Sequence, residues 1–381
     1  MSNNVIHYLF LVILCVPSLF LIEIEGVGYF FGYYLVGIVL IALTALYRTR
    51  WPSQLVIAGV VMIVNSAIHA GSTRLGVLFF DLFFLILFAV FSRYSYSQYY
   101  FTRLVRSLFW VYCGTLVFCG LMDIIGLNLI LPSFLYTIDR ETGGFRYHAF
   151  ATESSYAALL LLIFYRYLFR ESDGKLPLRY LFFVSLSIFI AKSMYGMLSL
   201  CVILFLHLSY SRKSYKIPLA MFFSMIMVYG VSVSEFFINR ILMLVNSESL
   251  IQTGSAGIRL LPIVFFIEQL YERSFLFLLF GNGAGSMGPL FYEKIGHFYT
   301  SSEQLATHMI GFVYNYGLIP IILVSNFTVS KVRIHQAFFI VMFLLVATNS
   351  GFGTYLFLIF IIVERASRDF LNSVENKAVS S

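Results

Sequence analysis

Val77–Val90 reads VLFFDLFFLILFAV, with one charged residue, Asp81, and no polar face at any period. A transmembrane barrel strand alternates apolar and polar side chains. A surface helix of a soluble protein keeps a polar side at the 3.6-residue period. This stretch does neither, so it reads as a helix that is apolar all round, surrounded by lipid or by other helices.

Similar stretches recur on both sides of it along all 381 residues. Each approaches the roughly 20 residues needed to cross a hydrocarbon core about 30 Å thick. The chain is 60% hydrophobic and only 11% charged, with mean hydropathy +0.88. A soluble domain of this length has too few polar residues in that composition to cover its surface. In lipid every backbone amide needs an internal partner, and the sequence therefore predicts an all-α, polytopic membrane protein forming one membrane domain, 1–381. The four cysteines, Cys15, Cys113, Cys119 and Cys201, fall inside apolar spans and read as small buried hydrophobes. The opening MSNN lacks the basic segment of a cleaved signal, so the first apolar stretch reads as a retained span.

Twelve spans are expected, at about 5–22, 29–47, 55–69, 75–91, 107–126, 151–168, 179–191, 194–210, 217–233, 308–329, 336–348 and 352–364. With both termini cytoplasmic, the inner loops and the tail 365–381 hold seventeen of the 25 Lys and Arg residues. The outer side keeps Arg74, Arg140, Arg146, Lys192, Arg240, Arg259, Arg273 and Lys294. This is a positive-inside distribution; it assigns the net charge of +7 to orientation rather than to nucleic acid. The pair 179–191 and 194–210 is the weakest element, either a tight hairpin or a segment that enters the membrane only in part.

Two outer segments are long, about 127–150 and 234–307. Within the second, 258–273 reads as an amphipathic helix on the outer interface. It is followed by the turn-rich GNGAGSMGP at 281–289. That turn matches neither GxxxxGK[ST] nor GxGxxG and has no βαβ unit around it, so it reads as a flexible loop and not a nucleotide site.

Basic residues kept on the outer side run against the topological preference and mark functional candidates. They are mostly arginines, whose guanidinium groups grip phosphate oxygens in pairs and stay charged at low dielectric. A pyrophosphate headgroup at the outer leaflet suits the set Arg140, Arg146, Arg240, Arg259 and Arg273, with Lys192 at a span end; exposure, or pairing with Asp139, Glu141, Glu235 and Glu268, is the bland alternative. Glu153 opens the sixth span in HAFATESSYAALLLL, where it is either a helix-end carboxylate or a general base. His308 opens the tenth in SSEQLATHMIGFVYNYG, where it is either an interfacial polar residue or an imidazole placed to take a proton near neutral pH. The chain has no Asp-x-Asp and no zinc spacing. Neither a metal nor a cofactor is expected, and fixed cations must then stabilise any anionic leaving group.

FRYHAFATESSYAALLLL at 145–162, GIRLLPIVFFIEQLYERSFLFLLFGNGAGS at 257–286 and THMIGFVYNYGLIP at 307–320 together resemble the O-antigen polymerase family and its relatives, the O-antigen ligases. In that family an arginine precedes an interfacial helix and a glycine-rich turn, matching Arg259 and Gly281–Gly285. A histidine then opens the next span and a glycine closes its polar stretch, matching His308 and Gly317. Met309 stands where the family often has Asn, and Arg146 matches the arginine before the sixth span. The resemblance implies a GT-C-like, metal-independent, inverting glycosyltransferase of the bacterial inner membrane. Its substrate would be undecaprenyl-pyrophosphate-linked oligosaccharide, polymerised at the periplasmic face alongside a chain-length regulator protein. Arg259, Arg146, Arg240 and Lys192 would hold pyrophosphate, His308 or Glu153 would act as base, and Tyr147 and Tyr314 would stack on sugars. The ligase shares this layout. A flippase or transporter of the lipid-linked unit is the alternative from another class, with Asp81 as its best argument.

Overall fold

The computed structural model describes residues 2–24, 28–46, 51–71, 73–91, 96–138, 144–151, 154–172, 174–192, 275–286 and 309–330, with 200, 268–269, 358–359, 362–363 and 366. The described residues are mostly helical. The chain divides into two compact units, both discontinuous in sequence: Met1–Ala42 with Ser95–Asn239 and Ile362–Ser381, and Leu43–Tyr94 with Arg240–Ile361.

The first unit contains α1 (Ser2–Cys15), most of α2 (Gly32–Leu46), α5 (Gln98–Ile125), α6 (Ser154–Glu171) and α7 (Leu178–Ile190). Helix α6 is its centre, buried almost all round from Ser154 to Phe169 because its sequence offers no polar face until Arg166. It runs antiparallel to α5. Gln98, at the start of α5, donates to the Glu171 carboxylate at the end of α6. One turn in from each end, the Thr102 and Tyr167 hydroxyls meet at 3.0 Å. Tyr112 fastens α5 to the end of α1 by donating to the Cys15 carbonyl. Gly120 lets α5 and α7 close up: a Cβ there would lie 2.8 Å from the Ile190 side chain.

The second unit contains α3 (Ser53–Ile68), α4 (Leu75–Phe91), α8 (Phe275–Phe280), α9 (Met309–Tyr316) and α10 (Leu318–Ser330). Helix α3 packs on α4 and α10, and Phe88 of α4 meets Phe327 of α10 edge-on at 5.4 Å.

Helix α5, with 28 residues, is long and apolar enough to cross a membrane; α3, α4 and α7 are apolar but shorter. These helices bury one apolar face and expose another. On α3 the exposed stripe is Val56, Ile57, Val60, Ile63 and Val64; on α5 it includes Val111, Phe118, Leu121 and Ile125. Soluble monomers rarely carry apolar surface of this extent.

Three expectations need correcting. Helix α5 begins at Gln98, nine residues before the expected span, so Arg103 and Arg106 lie on regular helix instead of in a loop. The expected tenth span is two helices, α9 and α10, broken at Gly317. The all-α description misses two antiparallel hairpins, β1–β2 (Leu21–Ile24, Gly28–Phe31) and β3–β4 (Tyr136–Ile138, Phe145–Tyr147), in connections rich in the aromatic and β-branched residues that favour strands. Helix α7 has 13 residues and covers about 20 Å, less than the hydrocarbon core. The expected spans 194–210, 217–233, 336–348 and 352–364, and the interfacial helix 258–273, lie wholly or largely outside the described residues.

Candidate functional site

Three sequence candidates come to one end of the first unit, where α5 and α7 finish and α6 starts. Helix α5 ends at Gly126, whose φ of 80° closes the last turn, with Leu127 N–H bonded to the Met122 carbonyl at 2.8 Å. Asp123 therefore sits where the negative end of the helix dipole disfavours a carboxylate. Two neighbours compensate. Lys192, just past α7, places Nζ 3.3 Å from Asp123 Oδ2, and Asn128 Nδ2 donates to Oδ1 at 3.1 Å. Lys192 thus has a partner that the sequence did not single out. The signal was present, since an acid three residues before the end of the expected span 107–126 runs against both lipid and dipole.

The β3–β4 hairpin supplies the second group. Its register pairs Tyr136 with Tyr147 and Thr137 with Arg146, so Arg146 and Tyr147 leave opposite faces. Tyr147 is fully buried. Burial, and after it the nearby Asp123 carboxylate, push its hydroxyl pKa up. On the other face, Arg146 Nη2 donates to Ser154 Oγ at 2.9 Å, tying the hairpin to the first residue of α6. Ala149 makes this return possible with φ of 51°, followed by a bond from Ala151 N–H to the His148 carbonyl at 3.0 Å. Among the described residues, Ala149 and Lys192 are the non-glycine residues with positive φ. Each costs about 1–2 kcal/mol, and both flank this cluster. Stored backbone strain collects at functional sites.

A second polar cluster lies inside the second unit and is built by backbone. Where α9 stops at Gly317 (φ 78°), the carbonyls of its last turn lose their helical partners. The turn at 281–286 supplies new ones: Asn282 N–H bonds the Tyr314 carbonyl at 2.9 Å, and Gly283 N–H bonds that of Asn315 at 2.8 Å. Asn65 Nδ2, from the buried face of α3, adds a second donor to Asn315 O at 2.8 Å. Tyr316 donates its hydroxyl to Asp81 Oδ2 at 2.8 Å. The turn is accordingly packed and buried, not flexible. Nor can it cradle phosphate, because the N–H groups of Gly281, Asn282, Gly283, Ala284 and Ser286 are all spent on protein acceptors. Only glycine fits at its crossing point. A Cβ at Gly317 would lie 2.0 Å from the Leu279 carbonyl oxygen, and one at Gly281 would lie 2.6 Å from the Asn315 backbone.

Of the remaining candidates, Glu153, His308, Arg240 and Arg259 lie outside the described residues. Tyr314 is 3% exposed with its ring edge-on to Phe277 at 5.4 Å. Tyr147 and Tyr314 thus use their rings in packing, and neither offers a face to a sugar in this structure. Among the described residues no His, Cys, Asp and Glu side chains cluster as metal ligands. No family model, no curated protein and no solved structure matches the chain.

Proposed function

We propose that the protein is a twelve-span bacterial inner-membrane glycosyltransferase that polymerises undecaprenyl-pyrophosphate-linked oligosaccharide repeat units at the periplasmic face. The observation that carries this reading is the gathering of Arg146 and Lys192 at one end of α5, α6 and α7, with backbone strain at Ala149 and at Lys192 itself. The charge distribution of the sequence assigns that end to the outer side. Apolar surface on α3 and α5 supports lipid as the surrounding medium. The segments bearing the family likeness, 281–285 and 317, also pack against each other.

An acceptor sugar hydroxyl attacks the anomeric carbon of the donor chain. The new C–O bond forms as the bond to pyrophosphate breaks, the hydroxyl proton passes to His308 or Glu153, and undecaprenyl pyrophosphate leaves. Arg146, Arg259 and Arg240 stabilise the charge growing on the leaving group, the task of fixed cations in a site of low dielectric. Lys192 is 40% exposed on its side chain, so an incoming pyrophosphate competes with Asp123 for it.

The transporter reading draws no support from Asp81, whose carboxylate is buried against the Tyr316 hydroxyl. The test is elongation of lipid-linked repeats by purified protein in detergent. Wild type should build chains, and Arg146→Ala and Arg259→Ala should each slow elongation about 100-fold, the usual loss for one transition-state donor. Movement of lipid without elongation overturns the proposal. In cells, loss of a polymerase leaves lipopolysaccharide with one capping repeat, whereas loss of a ligase leaves none.

A further inference from the structure

An open cleft of about 980 Å³ lies on the first unit at the end of α5 and α6 opposite Asp123. Its lining changes character along α5. Gln98 and Glu171 close the polar end, Arg103 and Arg106 occupy the middle, and Trp110 and Val111 form the apolar end. From Gln98 to Val111 the helix rises about 20 Å. Because α5 is already helical at Gln98, the arginines are held at i and i+3 with Trp110 at i+7 on the same stripe.

Both arginines are exposed, and among the described residues neither is ion-paired. Glu171 lines the same cleft but pairs with neither of them: its carboxylate accepts from Gln98, and two guanidinium groups face its one negative charge. Trp110 is fixed from behind by α7, with Tyr180 at 4.9 Å and Phe183 at 5.3 Å between ring centroids. Arg179 lies over the Tyr180 ring at 5.7 Å and adds a third positive charge nearby.

We propose that this cleft binds the headgroup of an anionic phospholipid of the cytoplasmic leaflet. Paired guanidinium groups suit the phosphate diester, and the indole sits where glycerol gives way to acyl chain, the depth tryptophan prefers. The apolar continuation past Trp110 to exposed Val111 selects an amphiphile over a free anion. Basic pockets beside membrane helices on the cytoplasmic side hold anionic lipids by this chemistry. The site is separate from glycosyl transfer, at the other end of the same helices, and a failed elongation assay leaves it untouched.

The test is native mass spectrometry of the purified full chain in detergent with phosphatidylglycerol, phosphatidylethanolamine and glycerol phosphate at equal concentration. Phosphatidylglycerol should be retained about tenfold better than either of the others. R103Q/R106Q should abolish that preference, and K175Q, which removes an exposed cation outside the cleft, should preserve it. Equal retention of the two lipids, equal retention of glycerol phosphate, or an unchanged preference in R103Q/R106Q overturns the proposal. A diazirine-bearing phosphatidylglycerol crosslinked to the wild type tests it without any variant: adducts should fall within 98–111, and adducts confined elsewhere overturn it.

Discussion

Asp123 shows how one side chain can be costly to its helix and still belong there. It opposes the dipole of α5, and Lys192 and Asn128 offset that cost. The pair is partly exposed, so it contributes less than about 1 kcal/mol. Asp123→Asn should therefore shift the apparent Tm in detergent by no more than about 3 °C. It should lower KM for the lipid-linked donor several-fold, because the competitor for Lys192 is gone. An unchanged KM separates Lys192 from substrate binding. Tyr147 carries a pH signature. Its pKa is raised in the folded state, so the unfolded chain releases the proton first, at about pH 10. The stabilisation is complete below that pH and is lost as pH rises above it. Scanning apparent Tm from pH 8 to 11 should show a steeper alkaline fall in wild type than in Tyr147→Phe, and parallel curves contradict the assignment.

At the scale of elements, the break between α9 and α10 organises the second unit. Gly317 needs both its left-handed backbone and its missing Cβ, since the atom in the way is a backbone carbonyl that cannot swing aside. Gly317→Ala should cost well over the 1–2 kcal/mol of left-handed strain alone, seen as loss of a cooperative melt. Asn65→Ala removes one of two donors to the Asn315 carbonyl and should cost about 1–2 kcal/mol. Recovery of Gly317→Ala with wild-type Tm would mean that the crossing is not tight. These elements also show what can be read from sequence and what cannot. Helix α4 occupies 75–91 as expected, because an all-apolar run has sharp ends. The break at 317 is easily passed over, because GFVYNYGLIPII is apolar enough to read as one span; Gly317 and Pro320 weaken a continuous helix there, and the docking of 281–286 supplies partners for the freed carbonyls. Arg146 and Lys192 are legible from charge against topology. The pairing of Asp123 with Lys192 and the Asn65–Asn315 bond are not, since each depends on a partner distant in sequence.

At the scale of the molecule, orientation decides what the two ends of the α5–α6–α7 bundle can do. Lys192 meets Asp123 at one end and Gln98 meets Glu171 at the other, so each loop joining these helices belongs to a definite side. If Asp123 faces the periplasm, Arg146 can meet a lipid-linked donor there, and Arg103 and Arg106 face anionic lipid inside. Reversing the bundle would put the arginine-rich loops outside, against the charge preference, and would leave Arg146 with no polymer precursor. Single cysteines resolve the matter in a background cleared of Cys15, Cys113, Cys119 and Cys201. Leu129, 80% exposed beyond the Asp123 end, and Lys175, exposed between α6 and α7, mark the two sides. In spheroplasts an impermeant maleimide should label Leu129→Cys at once and Lys175→Cys only after permeabilisation. The opposite pattern would reverse every loop between α5 and α7, and neither the polymerase assignment nor the inner-leaflet lipid site could stand.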